Sequence, residues 1–420
     1  MHLLNRGNEM MKKLLAFLMV TLLLAASACG NASSRQEDGT PSGTHATDPV
    51  PVETTAPENP LPVVDENGTV IGGLDRRSSF TAADKGIFYS IWEPRENQFS
   101  APAEYHFFRY EDRKDLLLGT LADQGYEAFY TRTELNGIVY TLAVSGNPMD
   151  HEPDTLWLLA FDPLKETMSR FSVTEYGFPY AALTAANGKL WIMNHETDTE
   201  KADKIYEFDP ESGTVREVLS YDGSAEKQGS LRSIYADEQT LYVLRLQNSG
   251  NGNELFLDSY DLEYRQITTK SLNDSLIPAG LTVHGMTGET DVRNEFGMMV
   301  SGFAVLDGRY LFYENFAILR AVMNLETGET LFSGDDIYSL SKGGGKPAVY
   351  RLIFSRDELD LSRIFTLNDG KLEETVLNVS GGPSLIQSIS RSPSGNWLIR
   401  LSEDRSSETQ NTVLLFFHGE

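Results

Sequence analysis

Apolar residues along this chain come in short runs bounded by turn residues, and the runs recur at a fixed distance. Gly86-Ile87-Phe88-Tyr89, Gly137-Ile138-Val139-Tyr140, Gly188-Lys189-Leu190-Trp191 and Gln239-Thr240-Leu241-Tyr242 each open on a turn-forming or polar residue and end on an aromatic. Tyr89, Tyr140, Trp191 and Tyr242 stand 51 residues apart. Within one period the pattern predicts four strands, which in the third unit are 181–184, 189–193, 204–208 and 214–219. The last two are joined by Asp209-Pro210-Glu211-Ser212-Gly213. Asp-Pro suits the opening of a type I turn, and the glycine supplies a positive φ. Similar turns recur at Asp162-Pro163-Leu164-Lys165, Glu326-Thr327-Gly328-Glu329 and Asn368-Asp369-Gly370-Lys371.

One such unit cannot bury its own faces and must stack on its neighbours. The second strands say how. Phe88 and Tyr89, Val139 and Tyr140, and Leu190 and Trp191 are adjacent residues and so point to opposite faces of their strands. A sandwich strand buries one of each pair, whereas a strand covered on both sides buries both. Later copies open at Gly308-Arg309-Tyr310, Ala348-Val349-Tyr350 and Gly395-Asn396-Trp397. Residues 61–420 therefore hold about seven units. The expected fold is all-β, a β-propeller of seven four-stranded blades, with six or eight as the alternatives. The last unit ends after three strands, the third at 412–417, and 68–71 is the natural fourth strand to close the ring. On this reading the recurring aromatics are blade core and not a platform for stacking bases or sugars.

The N-terminus has a different character. Lys12-Lys13 precede an apolar stretch from Leu14 to Ala26, then Ser27-Ala28-Cys29-Gly30, the layout of a secretory signal too short to be a comfortable membrane span. Translation is expected to begin at Met10 or Met11, and 1–28 is read as the signal. Residues 30–60 lack aromatics and are rich in Ser, Thr, Pro and Gly. With Cys29 they read as a disordered tether with a reach of about 30 Å. Residues 61–420 form the folded head.

Ala26-Ser27-Ala28-Cys29-Gly30 resembles the lipobox of bacterial lipoproteins. With the tether and the blade pattern, the whole chain resembles bacterial lipoproteins carrying a β-propeller head, of no particular subfamily. The resemblance implies that Cys29 carries a diacylglycerol anchor and that the head faces away from the cytoplasm, on a cell surface or in a periplasm. Cys29 is the single cysteine, so no internal disulfide is available.

A net charge of −26 repels phosphate backbones and argues against nucleic-acid partners. Motifs for hydrolases, zinc proteases and paired-cysteine metal sites are missing, and no cofactor or metal is expected. Gly343-Gly344-Gly345-Lys346 lacks the first glycine and the hydroxyl residue of a phosphate loop, and reads as a flexible turn. Acidic loops at 150–154 and 195–198 lack the spacing of a calcium loop and read as solvated. The candidate binding surface is the face carrying the strand-two-to-three and strand-four-to-one connections. There Tyr126, Phe178, Tyr180 and Arg232 are placed to rim the channel. The longest connection, 273–299, adds His284, Asp291 and Arg293. The reading favours a monomeric, non-enzymatic module for a protein or glycan partner. A carbohydrate-active lyase or glycosidase on the channel face, and an envelope assembly factor, are the alternatives.

Overall fold

The computed structural model describes residues 69–74, 79–94, 100–120, 126–144, 154–176, 180–195, 202–221, 229–248, 253–272, 276, 282–285, 288–291, 300–315, 319–334, 338–341, 343–351, 362–377, 385–402 and 412–417. They form seven four-stranded antiparallel sheets in chain order, the blades of a β-propeller. Blades 1 to 6 occupy 79–120, 126–176, 180–221, 230–271, 300–334 and 338–377. Blade 7 joins Leu385–Arg391, Trp397–Ser402 and Thr412–Phe417 to Thr69–Leu74, with Val70 opposite Leu415 and Ile71 opposite Leu414. Residues from the two ends of the described chain thus complete one sheet, as the missing fourth strand required. The inner strand of blade 1 lies against that of blade 7, where the Ala82 amide donates to Ser390 Oγ at 2.9 Å. Among the described residues, no helix is long and apolar enough to cross a membrane.

The turn chemistry sets the register. In blade 3, Asn187 and Gly188 both adopt left-handed φ, 45° and 75°, the type I′ geometry whose twist matches a two-residue hairpin. It places Ala186 opposite Lys189 and Thr184 opposite Trp191. At the other hairpin, Gly213 takes φ 68° and its amide donates to Asp209 O at 2.8 Å.

Burial of adjacent residues on opposite faces is observed blade by blade. Leu190 packs with Tyr140 and Leu142 of blade 2, while Trp191 packs with Ile234 and Val243 of blade 4. Val139 joins the blade 1 cluster around Phe88 and Tyr105, and Tyr140 faces blade 3. Leu241 faces blade 3 and Tyr242 faces Val305 and Leu311 of blade 5. All are buried. The aromatics are core, each cementing one blade to the next.

Blade 1 departs from the sequence period by one residue. Phe88 lies opposite Thr81, as Tyr140 lies opposite Thr133 and Trp191 opposite Thr184. Phe88 also faces blade 2, while Tyr89 turns toward Leu398 of blade 7. The structural counterpart of Tyr140 is therefore Phe88. The two-residue turn Asp84-Lys85 comes one position earlier than a strict period allows, and a one-residue slip exchanges the two faces. Because both faces of this strand are apolar, the slip leaves the core intact.

Candidate functional site

The second strand of each blade runs away from the strand-one-to-two turn, so its far end and the start of the inner strand share the opposite face of the ring. Tyr126 and Tyr180 are the first residues of the inner strands of blades 2 and 3, and Arg232 lies in that of blade 4. The structure therefore puts these three on one face, on successive blades. His284 and Asp291 fall in a separate hairpin between blades 4 and 5, with His284 opposite Glu289 and Asp291 opposite Thr282. Cys29, Phe178 and Arg293 lie outside the described residues.

Beneath this face the strand ends are fastened by buried polar groups. In blade 3 a ring nitrogen of His195 donates to the Asp203 carboxylate at 2.9 Å, and the same carboxylate accepts the Leu231 amide of blade 4 at 2.7 Å. In blade 4, Arg245 Nε donates to Asp258 Oδ2 at 2.7 Å, its guanidinium lies 4.4 Å from the Phe256 ring, and Nη1 reaches Gln247. Asp258 also accepts from Thr269 and from Tyr221 of blade 3, whose hydroxyl is 2.6 Å from Tyr260. Burial, Tyr260 and Asp258 push the Tyr221 phenol far above its ordinary range, so it stays a neutral hydrogen-bonding group. In blade 5, Glu314 holds Arg320 at 3.5 Å and accepts from the Ser339 hydroxyl and the Leu340 amide of blade 6. Between blades 1 and 2, Arg132 Nη2 donates to Ser90 Oγ at 2.8 Å, with its guanidinium 4.9 Å from the Phe88 ring.

These groups share a logic. A carboxylate or guanidinium in a strand covered on both faces costs several kcal/mol unless paired and hydrogen-bonded. Several of them spend their bonds on the adjoining blade. Asp203, Glu314 and Thr184 each accept an amide from the inner strand of the next blade. All three brace the ring, and Asp203 and Glu314 also fix where the strand ends stand. Sequence reasoning missed them, although the signal was present: Arg245 and Glu314 are single charges inside otherwise apolar or fully buried strands.

The hairpin face carries a second feature. Buried Glu207 accepts from Lys189 at 2.9 Å, from Arg216 at 3.0 and 3.2 Å, and from the hydroxyl of Tyr264, and these bonds hold it ionised, below the usual carboxylate range. Tyr264 also accepts from Trp191 Nε1 at 3.2 Å and takes a left-handed φ of 67°. A cavity of about 460 Å³ opens between blades 3 and 4 here, lined by Asn187, Lys189, Arg216, Leu262, Glu263 and Tyr264. Its donors are already directed at Glu207, which makes the cluster a polar brace between the two blades. Among the described residues, no group of three or more His, Cys, Asp or Glu is placed to hold a metal ion.

No family model and no curated protein matches the chain. Among solved structures it is similar to a chain of the mitotic checkpoint complex, at 11% identity and TM-score 0.47, covering 89% of this chain and 99% of that one. It is similar also to the WD40 β-propeller domain of Doa1, at 11% identity and TM-score 0.44, covering 84% and 96%. A third likeness is to an acylaminoacyl peptidase of Pyrococcus horikoshii, at 12% identity and TM-score 0.45, covering 70% of this chain and 45% of that one. At such identities the likeness concerns the fold.

Proposed function

We propose that this chain is a lipid-anchored, extracytoplasmic binding module whose propeller holds a protein or glycan partner on the face opposite the strand-one-to-two turns. The observation that carries the reading is the set of braces under that face. Arg245–Asp258, Glu314–Arg320 and His195–Asp203 are each engaged by neighbouring strands or blades, so they serve to hold the strand ends as a rigid rim. A rigid rim presenting connections of varied sequence is the arrangement by which a scaffold supports recognition. Tyr126, Tyr180 and Arg232, on three successive inner strands, are the residues proposed to meet the partner.

The anchor part of the reading rests on Ala26-Ser27-Ala28-Cys29 and the polar tether behind it. Cells expressing the full chain are fed radiolabelled palmitate and fractionated. The label and the protein are expected in the membrane, and both are lost from it with Cys29→Ser. The binding part is tested by crosslinking in intact cells from Tyr126, Tyr180 and Arg232, each replaced in turn by a photoreactive residue. Discrete adducts at these positions support the reading. Adducts only from control positions in the hairpin turns, or none from any position, overturn it.

A further inference from the structure

The glycine-rich segment between the first two strands of blade 6 does not behave as a loose turn. Its base is pinned, since the Ser341 amide donates to Ala348 O at 2.7 Å and the Ala348 amide to Ser341 Oγ at 2.9 Å. The Gly345 amide donates to Arg391 O of blade 7 at 3.0 Å, and Arg391 Nη1 returns a bond to Lys346 O at 3.2 Å. The Arg391 guanidinium is itself held 4.0 Å from the Trp397 ring. A Cβ at Gly345 would stand 2.2 Å from Ser392 O, and one at Gly343, whose φ is 102°, would stand 2.6 Å from Arg391 O. The glycines are there because backbone lies directly on backbone.

Gly344 shows where the segment leads. A Cβ there would lie 3.4 Å from Pro393 of blade 7, 3.5 Å from Thr133 Oγ1 and 3.6 Å from the Glu134 amide. Thr133 and Glu134 are buried at the hairpin end of the inner strand of blade 2. In the order 6, 7, 1, 2, two blades separate the partners of this contact. An inner loop of blade 6 thus reaches past blades 7 and 1 to an inner strand of blade 2. The turn of blade 1 is tied into the same knot. The Asp84 amide donates to Glu134 Oε2 at 2.7 Å, Asp84 Oδ1 accepts the Ser394 amide at 2.8 Å, and Asp84 O accepts Asn396 Nδ2 at 3.3 Å.

We propose that the Gly343–Lys346 segment is a plug that closes the hairpin end of the propeller's centre and clasps blades 6, 7, 1 and 2, leaving the opposite face as the way in. The last step rests on the binding reading above, whereas the plug itself does not. Gly343 and Gly345 let the backbone fill a space too narrow for a side chain, while Gly344 between them is in van der Waals contact with blades 7 and 2. The plug also bears on the seam where the first and last blades meet.

The test uses the full chain with Cys29→Ser, which removes the single cysteine. Gly344→Cys and Thr133→Cys are then introduced together, the Cβ position at Gly344 lying 3.5 Å from Thr133 Oγ1, where the second sulfur would stand. Mild oxidation is expected to give an intramolecular crosslink in most of the protein, seen as a mobility change under non-reducing conditions and as the loss of two hydrogens by mass. Thr133→Cys alone is expected to react with a maleimide about 100-fold more slowly than Leu164→Cys, an exposed control. Adding Gly345→Val, which forces the segment off Ser392, is expected to bring the Thr133→Cys rate toward the control while the circular dichroism stays that of a β protein. Failure to form the intramolecular crosslink in folded protein, or control-rate labelling of Thr133→Cys with the native segment, overturns the plug. For the in-cell arm Cys29 is restored, because Cys29→Ser is expected to leave the membrane, whereas a lipidated Cys29 holds its sulfur as a thioether that forms no disulfide. A crosslinked protein that then keeps its adducts at Tyr126, Tyr180 or Arg232 supports entry from the opposite face. If those adducts survive only when the crosslink is reduced, entry from that face is refuted while the binding reading stands.

Discussion

Glu134 offers a sharp physical prediction because its surroundings oppose its charge. It is 6% exposed, it faces the Asp84 carboxylate, and its compensations are the Asp84 amide and the nearby Lys85. Burial pushes its carboxyl up from 4.5 to about 7. The folded protein therefore keeps a proton between these values that the unfolded chain releases. Stability conferred by the neutral form is fully present below pH 4.5 and is lost as pH rises through 7. At about 1.4 kcal/mol per unit, the 2.5-unit gap amounts to about 3 kcal/mol. Glu134→Gln keeps an acceptor for the Asp84 amide and cannot ionise. Urea unfolding of both proteins from pH 4 to pH 8 reads the difference in their stabilities, which cancels the other titrating groups. The variant is expected to gain about 3 kcal/mol on the parent across this window, with most of the change between pH 4.5 and 7. Parallel curves would refute the reasoning, because Glu134 would then be ionised and solvated in the folded state.

Other expectations follow from the same packing. Arg245→Ala leaves Asp258 buried and unpaired and is expected to cost about 3–5 kcal/mol, while Arg245→Met with Asp258→Leu costs much less, a contrast read from a double-mutant unfolding cycle. Trp191→Ala, which opens a void between blades 3 and 4 and strips Tyr264 of its indole donor, is expected to cost about 3–5 kcal/mol by the same assay. Cys29→Ser moves the protein from the membrane to the soluble fraction without altering the unfolding of the head, as fractionation and melting would show together.

The architecture was legible because two local rules agree with one global one. The glycine-opened runs and the doubly apolar second strands recur at a period that only a ring or a stack can bury, and the three strands of the last unit pointed to 68–71 as a fourth, where Thr69–Leu74 pairs with Thr412–Phe417. The period misplaced Tyr89 by one position because identity of spacing is not identity of register, and the Asp84-Lys85 turn decides the register. The charged braces were harder to see. Asp203 meets Leu231 and Glu314 meets Leu340 across blade boundaries, so no pattern within one unit pairs them. The glycine run was read as slack because a sequence does not show which backbone lies against it, whereas Arg391 and Ser392 leave no room for a Cβ. Tyr126, Tyr180 and Arg232 share one face by topology alone, which is as much of the proposed site as a repeat encodes.

One face of the propeller is proposed to be occupied in the cell and the other to be shut. Hydroxyl-radical footprinting of the protein on intact cells, compared with the purified protein, measures this directly. Protection by a partner is expected at Tyr126, Tyr180, Arg232 and Gln247, with the turns at Asn187, Asp307 and Asp369 modified equally in both samples. Protection confined to those turns, or equal modification of both faces, would contradict it.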